Sequence, residues 1–192
     1  MADLMIDRAR SVLAVIDVQD GFLDKLEPAE RAPLVARIAW LMRVARALEL
    51  PVIAMGEDLP ANGPPVAPVL AELPPGTPVH DKRVFGLAGE AGILSALQAT
   101  GRDQAVLVGL ETDVCVAQSA LGLAGLGWTV AVAADGCGAP GPAHAAGLAR
   151  LSAAGVIVGT VKSLYYEWVR DLDTHAAVKA AVGGELPEEL SL

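Results

Sequence analysis

The sequence predicts a three-layer α/β/α domain built on a central, parallel, six-stranded sheet of Rossmann type. Three observations predict it. Six short apolar runs recur along the 192 residues. Each run is continuous rather than alternating, the pattern of a strand covered on both faces. Longer stretches of helical period separate the runs, and that alternation implies right-handed crossovers between parallel strands. On a prior of about 150 residues per domain the chain suits one domain, so we expect residues 1–192 to form a single unit with its core over about 11–168.

The first strand is expected over 12–16, ending at Asp17. Pro33 suits the first turn of the next helix, which runs to about Leu48 with Leu34, Ile38, Leu41, Met42 and Ala45 inward. Arg37, Arg43 and Arg46 fall on its wetter side. Strands at 52–55 and 77–80 flank a stretch, 60–78, that holds most of the 13 prolines and should be ordered but irregular. A helix over 90–99 leads to a strand at 105–108, and a helix over 113–126 to one at 129–133. The last pair is a helix over 142–154 and a strand at 156–161. Gly101, Gly127 and Gly155 stand where helix C-terminal caps are wanted. After about Val182 the tail is acidic and is expected to be loosely held.

Composition excludes several classes. Hydrophobic residues make up 53% and charged residues 19%, which rules out a disordered chain. Acidic residues outnumber basic ones 23 to 14, and the net charge of -9 disfavours nucleic acid and anionic membrane surfaces. Three histidines and two cysteines cannot build a disulfide scaffold or a four-cysteine zinc site. The N-terminal stretch carries Asp3, Asp7, Arg8 and Arg10 before a short apolar run, unlike an export signal or a membrane span. A cytoplasmic protein with reduced Cys115 and Cys137 is the expectation.

Ligands of open parallel sheets bind beyond the carboxyl ends of the strands. The polar residues of this apolar chain fall there: Asp17 after the first strand, Glu57 and Asp58 after the second, and Asp81 and Lys82 after the third. Glu111, Thr112, Asp113 and Cys115 follow the fourth, Asp135 and Cys137 the fifth. Cys115 falls in the first turn of a helix, with Thr112 as its N-cap. Free N–H groups, the helix dipole and a nearby Lys82 would there favour the thiolate, with Asp17 as proton acceptor. The plainer alternative is a cysteine that acts only as a small buried hydrophobe.

Three segments resemble the isochorismatase-like cysteine hydrolases, the superfamily of nicotinamidases and N-carbamoylsarcosine amidase. They are Val15-Ile16-Asp17-Val18-Gln19 with Gly21-Phe22, then Lys82 ahead of Phe85, and Gly109-Leu110-Glu111-Thr112-Asp113-Val114-Cys115-Val116. The similarity runs from about residue 11 to 168. Glu57, Pro60 and the Gly-Leu-Glu form of the third segment look closest to the poorly characterised isochorismatase-domain hydrolases. The resemblance implies an Asp17–Lys82–Cys115 triad that cleaves a C–N bond of a small amide through a thioester, with Asp17 as general base and Lys82 holding the thiolate. It implies an oxyanion hole from the backbone N–H groups of Glu111 and Cys115, a cis peptide at Leu110–Glu111, no cofactor, and a homo-oligomer, dimer or tetramer. Pocket candidates are Gln19, Phe22, Met55, Phe85 and Gly86.

The chain also departs from the family. Nicotinamidases bind a metal through an Asp-x-His arrangement after the second strand, whereas Met55-Gly56-Glu57-Asp58-Leu59-Pro60 holds no histidine. His80, His144 and His175 lack ligand spacing, so no metal site is expected. Isochorismatases cleave an enol ether without a cysteine nucleophile, so Cys115 argues against that substrate. Gly86-Leu87 stands where relatives often carry a serine, which would leave a roomier pocket. Gln19 and Asp135 also read as structural hydrogen-bonding residues, His144 as a structural residue at a helix start, and Tyr165, Tyr166 and Trp168 as a packing or subunit-contact cluster. Two other functions stand beside the hydrolase: a catalytically silent binding or interaction protein, and a thiol redox sensor that needs Cys115 and Cys137 to meet.

Overall fold

The computed structural model describes residues 4–183, 186–188 and 190–192. In chain order the elements are β1 (Ser11–Ile16), α1 (Asp20–Leu23), α2 (Pro28–Ala47), β2 (Val52–Glu57), α3 (Leu59–Asn62), α4 (Ala67–Leu70) and β3 (Val79–Lys82). A 3₁₀ turn (Leu87–Gly89), α5 (Ala91–Ala99), β4 (Gln104–Leu110), a π-helical turn (Thr112–Val116) and α6 (Ala117–Gly125) follow. The chain then forms β5 (Thr129–Gly138), α7 (Ala143–Ala153), β6 (Ile157–Gly159), α8 (Val161–Val169) and α9 (Leu172–Val182).

All six strands run parallel in the order β3-β2-β1-β4-β5-β6. The order reverses between β1 and β4, the point where an open α/β sheet leaves a crevice for a ligand. Continuous apolar strands follow from the layering, because successive residues face opposite layers. Leu13, Val15, Val106 and Val108 pack with Ile38, Leu41 and Met42 of α2 and with Leu164 and Trp168 of α8. Val12, Ala14, Ile16, Ala105 and Leu107 pack on the other face with Ile93 and Leu97 of α5, Val116, Ala120 and Leu123 of the α6 region, and Leu151 of α7.

The outer strands depart from the continuous-apolar expectation. In β3 only Lys82 is buried, and β6 is three residues long with Val158 exposed. An edge strand has a neighbour on one side only, so it needs no fully apolar run. β3 also extends to Lys82, so Asp81 and Lys82 lie in it rather than after it. Val161 belongs to α8: Thr160 and Ser163 form a capping box that starts the helix there. Pro28, not Pro33, occupies the first turn of α2, and Pro33 lies inside it. Gly101, Gly127 and Gly155 end their helices with φ of +67°, +88° and +82°.

The tail is not loose over its described residues. Leu190 is buried and Leu192 packs against the same layer, because both bury apolar surface on the α2–α8–α9 side. The acidic residues Glu185 and Glu189 lie outside the described residues. Trp168 is fully buried with its Nε1 donating to Ser11 Oγ at 3.2 Å, and the Tyr165 hydroxyl lies 2.7 Å from His175 Nδ1. These aromatic residues therefore bind the C-terminal helices to the sheet. Among the described residues no helix is long and apolar enough to cross a membrane.

Candidate active site

Asp17 follows β1 immediately and adopts a left-handed conformation, φ +50°. That turn carries its side chain out of the strand direction into a fully buried position at the sheet's switch point. β4 comes close beside it through Gly109, whose φ is +125°. A Cβ there would lie 1.9 Å from the Ile16 carbonyl oxygen, so only glycine lets the two strands meet at this level. The Leu110–Glu111 peptide is cis, and the π-helical turn then places Cys115 beside Asp17. From the edge of the sheet, β3 sends the Lys82 side chain inward, fully buried.

These three residues converge. Lys82 Nζ lies 2.9 Å from Asp17 Oδ2 and donates to the Val84 carbonyl at 3.0 Å. The Cys115 thiol also lies against the Asp17 carboxylate, which places that carboxylate to accept the thiol proton. Burial pushes its carboxyl up to about 6, against the counter-pull of the Lys82 ammonium. Burial, and next the Asp17 carboxylate, raise the Cys115 thiol above its ordinary value, with Lys82 opposing.

The helix start and the Lys82 ammonium favour the thiolate, whereas desolvation and the neighbouring Asp17 carboxylate oppose it, with burial the largest influence. Thr112 is not an N-cap. It lies inside the π turn, and its hydroxyl is 2.8 Å from His144 Nδ1, which ties the cysteine-bearing turn to α7.

The pocket candidates divide. Gln19 is fully buried and works on the backbone: its Oε1 accepts from Glu57 N at 2.8 Å, and its Nε2 donates to Glu57 O at 3.0 Å and Gly63 O at 2.6 Å. Phe22 is half-buried beneath Lys25, whose ammonium pairs with Glu111 beside the cis peptide. Met55 is fully buried in the apolar layer that also holds Cys115. Phe85 is 54% exposed on an open surface with Gly86, Ala88 and Gly122. Gly86 leaves no added room, since a Cβ there would meet the Gln118 backbone at 3.0 Å; α6 already fills the space.

Glu57, which the sequence placed on the rim without assigning it a role in the site, joins these residues. Its Oε2 lies 3.5 Å from Cys115 Sγ and 3.6 Å from Lys82 Nζ. The available signal was its place at the end of the second strand, on the same rim as Asp17. Asp17, Glu57 and Cys115 are also the group among the described residues that could offer three ligand atoms to a metal ion. The Lys82 ammonium already stands against both carboxylates, which disfavours a second cation there.

Asp135 and Cys137 do not join this cluster. Asp135 accepts from Val161 N at 2.6 Å at the start of α8. Cys137 is buried, its thiol raised to about 12 by burial, and its sulfur faces the Leu107 carbonyl at 3.8 Å. Both cysteines are free, and Cys115 is engaged with Glu57 instead.

Comparison with known proteins gives consistent likenesses. The model of the Isochorismatase domain matches residues 11–163. Mouse isochorismatase domain-containing protein 2B is 30% identical over 166 residues, 84% of this chain and 74% of that protein. The YcaC structure from Pseudomonas aeruginosa, with hexane-2,5-diol and covalent acrylamide, superposes with a TM-score of 0.86 at 26% identity, covering 97% of this chain and 94% of the other. The YcaC crystal structure from Escherichia coli, described as an octameric hydrolase of unknown specificity, gives 0.85 at 25% identity over 95% and 90%.

Proposed function

The chain belongs to the isochorismatase-domain family of hydrolases, and on that premise we propose that it is a cysteine hydrolase cleaving a C–N bond of a small amide. One observation carries the reading: a buried carboxylate, a buried ammonium and a thiol, brought from three separate strand ends, meet at the switch point of the sheet. The whole chain would act as one hydrolase domain, with no cofactor and no metal.

The Cys115 thiol gives its proton to Asp17 as the sulfur bonds to the carbonyl carbon. Backbone N–H groups of Glu111 and Cys115 receive the developing oxyanion. As the C–N bond breaks, Asp17 passes that proton to the leaving nitrogen, which departs as ammonia or an amine. A thioester on Cys115 remains. Asp17 then takes a proton from water, the hydroxide adds to the thioester carbon, and the S–C bond breaks to give the carboxylic acid. The sulfur recovers the proton from Asp17. Lys82 steadies the negative charge on Asp17 and on sulfur throughout, and Gln19 holds the Glu57 backbone that borders the site.

A panel of small amides and ureas, assayed for released ammonia or amine, tests the reading with Cys115→Ala as control. Turnover by the native protein, none by the variant, and a thioester mass on the acid-quenched chain are the expected results. Retained hydrolysis by Cys115→Ala overturns it. We further propose a cytoplasmic location and a homo-oligomer, the latter supported by the octamer of the Escherichia coli relative and tested by light scattering.

A further inference from the structure

We propose that Glu57 selects substrates by charge, admitting small amides that are uncharged or cationic and turning away those that carry a carboxylate near the scissile bond. The inference rests on the hydrolase reading and adds the class of substrate to it.

Glu57 closes β2, and its backbone is fixed from several sides. Gln19 holds both its N–H and its carbonyl, and Asn62 Nδ2 donates to the same carbonyl at 2.9 Å. Gly56 makes room for this clamp, since a Cβ there would meet Gln19 at 3.2 Å and Leu59 at 2.6 Å. A carboxylate so held is pre-positioned rather than a mobile surface group. Its side chain is 23% exposed, whereas those of Asp17 and Lys82 have no exposure. Of the charged groups around the sulfur, Glu57 is therefore the one an incoming molecule meets.

The local charges sum to a negative excess. Asp17 and Glu57 carry one charge each, and Lys82 supplies the single opposing charge, nearer to Asp17 than to Glu57. Two further ion pairs on this rim are internally balanced, Lys25 with Glu111 and Arg83 with Asp58 at 2.5 Å. Asp81 is exposed and accepts from Leu59 N at 2.8 Å. A carbonyl carbon approaching Cys115 Sγ brings its nitrogen within reach of Glu57 Oε2, which is 3.5 Å from that sulfur. An N–H group or an ammonium finds an acceptor there. A carboxylate meets like charge beside two fully buried side chains.

The test uses thiol reagents and needs no known substrate. Methanethiosulfonates of matched size, one bearing a trimethylammonium and one a sulfonate, are reacted with the native protein. The rate at the Cys115 peptide is read by mass spectrometry, and the cation-to-anion rate ratio is divided by that for 2-mercaptoethanol. A normalised ratio of about ten is expected for the native protein, from one nearby unbalanced charge. In Glu57→Gln the ratio should fall toward one, and Glu57→Asp should keep most of it. Glu57→Ala replaces the glutamine variant if that variant does not fold. A native ratio near one, or a ratio unchanged by loss of the carboxylate, overturns the proposal. Hydrolysis without charge bias overturns this inference alone, and charge bias without any hydrolysis overturns the hydrolase reading alone.

Discussion

The Lys82 ammonium stands 2.9 Å from the Asp17 carboxylate, and neither side chain is exposed. Breaking such a pair by removing one partner leaves the other charge buried without compensation. We expect Lys82→Met to lower stability by about 3–5 kcal/mol, measured by urea unfolding. The variant should also raise the Asp17 carboxyl above its native value of about 6. A loss within experimental error would mean that the pair contributes nothing net to the fold.

Stability should fall as pH rises through the weakly acidic range. Asp17 titrates at about 6 when folded, against an ordinary value of 3.8. Between those values the folded state binds more protons than the unfolded state. The stabilising contribution is complete below about pH 4 and is lost as pH climbs through about 6, amounting to roughly 3 kcal/mol at most. Exposed carboxylates with lowered values, Asp103 and Asp171, oppose this trend in every variant. The difference between native protein and Asp17→Asn in melting temperature against pH therefore isolates the term. A pH-independent difference would contradict the assignment.

The same value fixes the acid limb of activity. A base that must be ionised to take the Cys115 proton loses function as it protonates. Hydrolysis of a neutral amide should rise through about pH 6 and follow a single ionisation there. A limb displaced by two units or more would assign the proton transfer to another group.

Gly109→Ala should be among the most damaging single-methyl additions in the chain. The new Cβ would sit 1.9 Å from the Ile16 carbonyl oxygen, at a φ of +125° that side chains avoid. We expect a cost of about 3 kcal/mol or more, with loss of activity in any protein that still folds. Native melting and native turnover together would mean that β1 and β4 can part without disturbing Asp17 and Cys115.

Thr112→Val removes the hydroxyl that meets His144 Nδ1 at 2.8 Å. Losing one hydrogen bond of this kind costs about 1 kcal/mol. Because it ties the cysteine-bearing turn to α7, kcat should fall more than KM rises. A change in KM alone would move Thr112 from positioning the nucleophile to binding substrate.

The central strands were legible because burial on both faces demands apolar residues at every position, as in Val12–Val15 and Val106–Val108. β3 was harder to bound: as an edge strand it tolerates His80 and Asp81, so its end at Lys82 left no hydrophobic mark. That Asp17, Lys82 and Cys115 lie close together was legible from their types and their places at strand ends. The burial of Cys115 was not, since a helix-start argument counts the dipole and omits the desolvation that pushes the thiol up. The role of Glu57 escaped for a related reason. A glutamate at a strand end is ordinarily solvated, and its backbone contact with Gln19, 38 residues away, and its side-chain contact with Cys115 leave no local mark in the sequence. Gly86 illustrates the converse, a missing side chain whose volume a neighbouring helix has claimed.

The irregular excursion between β2 and β3 has a consequence for how such a protein can change over generations. Asp17, Lys82 and Cys115 are anchored by strands and by one helical turn, whereas residues 58–78 form α3, α4 and the irregular segments around them. Insertions or deletions there can be absorbed outside the sheet that holds Asp17, Lys82 and Cys115. On the proposed chemistry, a lineage on this scaffold can then vary its outer segments while inheriting one reaction.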